Sequence, residues 1–376
     1  MGEHFTITNP HYTKKRRNII EKREKLDLLR CLSIFMVMVI HVCGLYFWST
    51  SKLMNKAFII TNFFDAFSHT AVPVFILLSG YFSLNHLVTA QKYIKKIIVK
   101  FIIPTIIWII FYHIFFKVRI EKGVSFKELL DLDYLKGISE VFFSNQGSHL
   151  WFMPMFIGLQ ILTPLLILLR DKLIGQRGFL ILGVAMLLAG MFFVVFRLVV
   201  KPIIISNLTS SFICLGYYIL GNALPKTNLR RIKRFVWLVS FFLSSSTIFY
   251  LIHRFTAQPE LYRLPAIYFY NYLSIFVVIS SFSLFMFFYK IKIQTTWVEV
   301  VVDGITPNVF FMYFIHNAVL LILIDWLSKF IVIQNHLLIM IPGIAVITFC
   351  ISFILAEIHR VVALKLRHVF NLKVAS

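Results

Sequence analysis

Long apolar runs recur along the whole chain, separated by short polar segments rich in Lys and Arg. A helix rises 1.5 Å per residue, so about 20 apolar residues cover the ~30 Å of hydrocarbon in a bilayer. Ten stretches reach roughly that length: 28–48, 62–84, 97–117, 151–170, 178–198, 208–224, 234–252, 266–289, 305–332 and 336–360. The pattern predicts an all-α, polytopic integral membrane protein of about ten transmembrane helices. Residues 1–27 read as a basic tail, 28–360 as one membrane domain and 361–376 as a second tail. The longest polar segment, 117–150, contains Lys127-Glu128-Leu129-Leu130-Asp131 and reads as a small amphipathic helix on the outer surface.

Composition supports this pattern. The 376 residues are 59% hydrophobic with a mean hydropathy of +0.83, which excludes an ordinary soluble protein. The net charge of +22 could indicate nucleic acid or membrane, and the apolar runs decide for membrane lipids. With Arg30 set aside, 25 Lys and Arg fall on the side that carries the termini and 12 on the other. Because Lys and Arg are retained on the cytoplasmic side, both termini are expected in the cytoplasm. No short apolar run with a small-residue cleavage site precedes the first span, so no signal peptide is expected. Cys31, Cys43, Cys214 and Cys350 all lie in apolar stretches and read as buried hydrophobes without disulfides. Glycine is scarce (15) and phenylalanine abundant (41), which predicts bulky packing with little close small-residue contact. Trp48, Trp151, Trp326, Trp237 and Trp297 fall near span ends, as an aromatic belt requires, and Trp108 does not.

Ionisable groups inside a spanning helix are costly and mark candidate sites. Arg30 and His41 lie on the first span with ten residues between them. Eleven steps of about 100° make roughly three turns, so both project from one face, ~16 Å apart along the axis. His41 can take and return a proton near neutral pH, or serve as a neutral hydrogen-bonded spacer. Arg30 can grip a phosphate bidentately or snorkel to the headgroups, and Asp27 is at pairing distance along the helix. Lys96 and Lys100, four apart, read as a docking site for a phosphorylated donor or as positive-inside charges. His316 sits at a depth similar to His41 and suits a supporting hydrogen bond. Asp65 and His69 are spaced to form a charge-assisted pair near the outer surface. His149 beside Trp151 suits stacking on a sugar face, and Trp151 also suits a belt. The chain carries no P-loop, HExxH, paired CxxC or GxSxG motif. No metal site and no bound cofactor are expected.

The order of these residues resembles acyltransferase family 3, the integral-membrane O-acyltransferases. The similarity runs from Leu26 to about residue 360. It is carried by Leu26-Asp27-Leu28-Leu29-Arg30 with His41, by Val72-Pro73-Val74-Phe75 and Leu78-Ser79-Gly80-Tyr81, and by Lys95-Lys96, Lys100 and Pro104. His149-Leu150-Trp151-Phe152-Met153-Pro154 and Tyr313-Phe314-Ile315-His316 complete it. The resemblance implies transfer of an acyl group, usually acetyl from cytoplasmic acetyl-CoA, to a hydroxyl of a surface glycan or its lipid-linked precursor. It implies a multi-pass protein of a bacterial plasma membrane, and the apolar runs already argue for no nucleic-acid partner. The family's essential histidine maps to His41 and its partner arginine to Arg30. Many members carry arginines where this chain has Lys96 and Lys100, and lysine holds phosphate as a point charge, not a fork. The similarity is to stand-alone members, without an extracytoplasmic hydrolase domain. Two other readings stay open on the residues alone: a glycan flippase or exporter, and a non-catalytic membrane sensor or partner subunit.

Overall fold

A computed structural model describes residues 10–52, 54–85, 90–120, 149–200, 208–261, 265–291 and 296–369. Every regular element among them is helical. The ten apolar stretches are mainly helical, with turns at 69–70, 271–274 and 328–332, and eight helices among the described residues are long and apolar enough to cross a membrane. Two features separate eight from ten. The stretches 151–170 and 178–198 belong to one helical run, Phe152–Phe196. Inside it Gly175 adopts φ 65, a left-handed conformation that L side chains resist, and the helical path breaks there. The stretch 208–224 forms a helix of only 16 residues, Leu208–Ala223.

The chain begins with α1 (Pro10–Ser51), whose helix continues outward from the first span into the basic tail. α2 (Lys56–Ser68) and α3 (Ala71–Ser83) share the second span. They part at His69 and Thr70 because Pro73 has no N–H and its ring would meet the carbonyl four residues back. α4 (Ala90–Ile97) passes through a π-turn, Ile98–Ile102, into α5 (Ile103–Ile120). The proposed outer amphipathic helix lies outside the described residues. α6 (Phe152–Leu168), α7 (Gly175–Val200) and α8 (Leu208–Ala223) follow. Next are α9 (Arg234–Ala257) and α10 (Ile275–Lys290). The short α11 (Thr296–Ile305) leads into α12 (Val309–Leu327), and α13 (Leu337–Val369) ends the described chain.

The first span is the hub, since α1 packs against α2, α3, α10, α11, α12 and α13. Its apolar residues Ile34, Met38 and Val42 are fully buried against α12 and α13. Glycine matters more than its scarcity suggested. A Cβ on Gly80 would lie 1.8 Å from the Tyr218 carbonyl oxygen, and one on Gly221 would lie 2.0 Å from that of Leu77. The backbones of α3 and α8 therefore meet directly, which two well-placed glycines suffice to allow. Large apolar residues such as Ile106, Ile107, Leu338 and Ile339 face outward, as they can where the solvent is lipid. For the same reason Cys350 is exposed, against the expectation of burial, while Cys31, Cys43 and Cys214 are buried; all four are free thiols. Trp108 has a role the belt could not give it, with its ring stacked on Phe314 at 5.5 Å.

Candidate active site

Arg30 and His41 do share a face of α1, and each opens on its own cavity. The Arg30 cavity holds about 300 Å³ and is walled mainly by Phe75, Phe82, Phe101 and Phe310, with Ser79, Ser83 and Thr306 as its small polar groups. Arg30 Nη1 donates to Asp27 Oδ1 at 2.6 Å, and the guanidinium lies 4.8 Å over the Phe82 ring. The two serines are held from behind by Gln160. Ser83 Oγ and Tyr93 Oη donate to Gln160 Oε1 at 3.3 and 3.0 Å, and Gln160 Nε2 donates to Ser79 Oγ at 3.1 Å. A buried amide with both ends engaged is a rigid support.

The His41 cavity holds about 50 Å³ and is lined by Val37, Ile40, Val72, His149, Trp151 and Tyr272, among others. Phe75, Phe152 and Tyr313 belong to both linings. The two cavities are thus neighbours along one helix face, divided by three aromatic rings.

Around His41 the tertiary structure gathers two further imidazoles. Its ring centroid lies 5.1 Å from that of His316 and 6.2 Å from that of His149, and those two are 5.3 Å apart. His149 and His316 are buried. His316 Nδ1 lies 2.6 Å from the Tyr313 carbonyl and 3.2 Å from that of Met312. A carbonyl can only accept, so Nδ1 carries the proton and the neutral ring presents a bare Nε2. That Nε2, and both ring nitrogens of His149, are buried without a hydrogen-bond partner. Unpaired buried polar atoms are uncommon in native folds and call for a chemical reason. The Tyr313 hydroxyl donates to the His149 carbonyl and ties the two histidine-bearing segments together. Behind them the Tyr112 hydroxyl donates to the Phe314 carbonyl at 2.6 Å and accepts from the Ala318 N–H at 3.1 Å. Among the described residues no three His, Cys, Asp or Glu side chains are disposed to hold a metal ion.

The Asp65–His69 pair forms as its spacing required, with His69 Nδ1 at 2.9 Å from Asp65 Oδ1. The His69 ring stacks on Tyr270 at 4.4 Å and on Tyr272 at 5.5 Å, and Tyr272 stacks on Trp151 at 5.7 Å. A column of rings therefore joins this pair to the wall of the His41 cavity. Trp151 is part of that wall and stands apart from the exposed Trp48, Trp297 and Trp326. The cationic candidates are more dispersed. Lys96 lies 5.9 Å over the Tyr93 ring. Lys100 lines a different cavity, with His359 and Arg360, and Phe101 and Phe310 border both this cavity and that of Arg30. Asp325, on the other face of α12 from His316, pairs with Arg119 at 2.7 Å.

Sequence reasoning missed Tyr112, Gln160 and Tyr272 and met Tyr313 only as part of the segment ending at His316; the four build the walls and supports of the two cavities. Gln160 alone gave a usable signal, as a lone amide inside the apolar run of α6.

The described residues are helical throughout their regular elements, and eight of the helices are long and apolar enough to cross a membrane, which defines a multi-pass membrane protein. A family model for an acyltransferase domain, that of acyltransferase family 3, matches residues 23–357, nearly the whole chain. The chain belongs to that family and is an integral-membrane acyltransferase. No curated protein and no solved structure matches it.

Proposed function

We propose that the protein is a plasma-membrane O-acyltransferase of bacterial type, moving acetyl from cytoplasmic acetyl-CoA to a hydroxyl of a surface glycan or its lipid-linked precursor. The observation that carries this reading is the placing of Arg30 and His41 in adjoining cavities on one face of α1. The larger cavity accepts the donor, and Arg30 at its charged end holds a phosphate or offsets negative charge developing at the thioester oxygen. The smaller cavity has room for about three to five water-sized groups, enough for an acetyl group and little more. His41 takes the proton of the acceptor hydroxyl. The oxygen attacks the thioester carbonyl, the C–S bond breaks, and His41 returns the proton to the departing thiolate. Trp151 and Tyr272 present aromatic surface on the side from which a saccharide comes. Asp65 and His69 brace that surface through the ring column, while Lys96 and Lys100 draw the donor's phosphates to the cytoplasmic face. The excess of Lys and Arg on the terminal side supports both ends lying in the cytoplasm.

Purified protein in lipid, given acetyl-CoA labelled in the acetyl group and an extract of surface glycan, tests the reading. Release of free thiol with transfer of label to the glycan is expected, and both are lost in His41→Ala. A flippase or a sensor leaves the thioester intact.

A further inference from the structure

Three buried ring nitrogens, two on His149 and one on His316, have no hydrogen-bond partner, and the surroundings of His316 point to a use for its own. His316 is fully buried and lines neither the Arg30 cavity nor the His41 cavity. Its ring packs against those of His41, His149 and Tyr313. Its Nδ1–H is committed to the Tyr313 and Met312 carbonyls, which fixes its tautomer and leaves Nε2 as an acceptor. His41 is the nearest imidazole, 5.1 Å between centroids. That is about the separation of two imidazoles joined by an in-line N–H···N bond of ordinary length.

We propose that His316 is the positioning residue of His41: its Nε2 accepts a ring N–H of His41 and so holds the other His41 nitrogen bare and turned to the small cavity. The 5.1 Å centroid separation suits closure of this bond by rotation of the His41 ring. A base is useful only in the right tautomer, and a third group commonly enforces it. Here the chain of control runs from two backbone carbonyls of α12, through the His316 ring, to His41. Tyr313 takes part twice, since its carbonyl fixes His316 and its hydroxyl holds the His149 segment. No proton is consumed; His316 stays neutral, and the proton of the reaction passes through the other face of His41. The assignment deepens the acyl-transfer reading and rests on His41 being the base.

Asparagine and glutamine separate this role from a structural one. The substitution His316→Asn places an amide N–H near the position of Nδ1, keeping the bonds to the carbonyls, but offers no acceptor at Nε2. The substitution His316→Gln places an amide oxygen near Nε2. The experiment is nitrogen NMR of the full chain in lipid with ¹⁵N-labelled histidine, the His41 signals being identified by their absence in His41→Ala. Wild type and His316→Gln should show one His41 tautomer, and His316→Asn a mixture of two. In the acetyl-CoA assay His316→Asn should lose about tenfold or more in kcat, with KM for acetyl-CoA unchanged and His316→Gln largely restored. A single, unchanged His41 tautomer in His316→Asn overturns the assignment, as does equal or better activity of the Asn variant than the Gln variant. Wild-type protein that leaves acetyl-CoA intact overturns the acetyl-transfer reading instead, while the tautomer result still decides the role of His316.

Discussion

The two cavities on α1 make an instructive pair. They share the wall of Phe75, Phe152 and Tyr313, yet one holds about 300 Å³ beside an arginine and the other about 50 Å³ beside a histidine. The larger is lined by many rings and a few hydroxyls, and its charge is held at one end by Asp27. The smaller has unpaired imidazole nitrogens at its edge and apolar Val37, Ile40 and Val72 around them. Volume and polarity are thus divided: the roomy compartment can hold a molecule, and the tight one can hold only the part that reacts. A catalyst gains from confining just the reacting atoms, because a dry, small site strengthens every directed hydrogen bond.

Substitutions on either side of the shared wall can break this division. The largest effect belongs to His41. His41→Ala should cut acyl transfer by about 10² or more, the scale of a positioned proton carrier, with acetyl-CoA binding near wild type. His41→Gln keeps a polar group there without proton transfer, so full activity in that variant would return His41 to a structural role. Filling the small cavity comes next. Val72→Phe should lower transfer by about tenfold or more through overpacking, while binding of acetyl-CoA in the larger cavity, measured by calorimetry, persists. If donor binding falls with it, the two cavities act as one.

Arg30→Ala should raise KM for acetyl-CoA about tenfold, the loss of roughly one charge-assisted contact, and Arg30→Lys should recover part of it. An unchanged KM with a lower kcat would move Arg30 from holding the donor to stabilising the transition state. The smallest effect is expected at the dispersed lysines. Lys96→Ala with Lys100→Ala should weaken acetyl-CoA binding a few-fold at low salt, and the difference should shrink as ionic strength rises. A salt-independent loss would mean a direct contact across the wall of Phe101 and Phe310.

The sequence carried the elements and the Arg30–His41 relation well. Helix periodicity fixes the relative direction of two residues on one helix whatever surrounds it, and Asp27–Arg30 and Asp65–His69 formed for the same reason. Apolar length found the spans, but not the break at Gly175 or the short α8. Burial was poorly legible, as Cys350 shows, because in lipid an apolar residue is at home on either face. Trp151 stacks on Tyr272 in the wall of the His41 cavity, a contact between distant segments that no local pattern encodes.

The sequence by itself determined that this is an all-helical membrane protein with an arginine and a histidine on one face of its first span. Those properties depend on hydropathy, length and the helical repeat, all local. Tertiary structure decided that His149 and His316 join His41, that Tyr313 divides and braces the two cavities, and that Lys100 stands across a wall from Arg30. Each depends on how helices pack at contacts such as Gly80 on Tyr218, where a single Cβ would force the backbones apart. In a bilayer, helices associate through close fit and not through apolar periodicity, so partner choice is written in shape and only the fold reads it out.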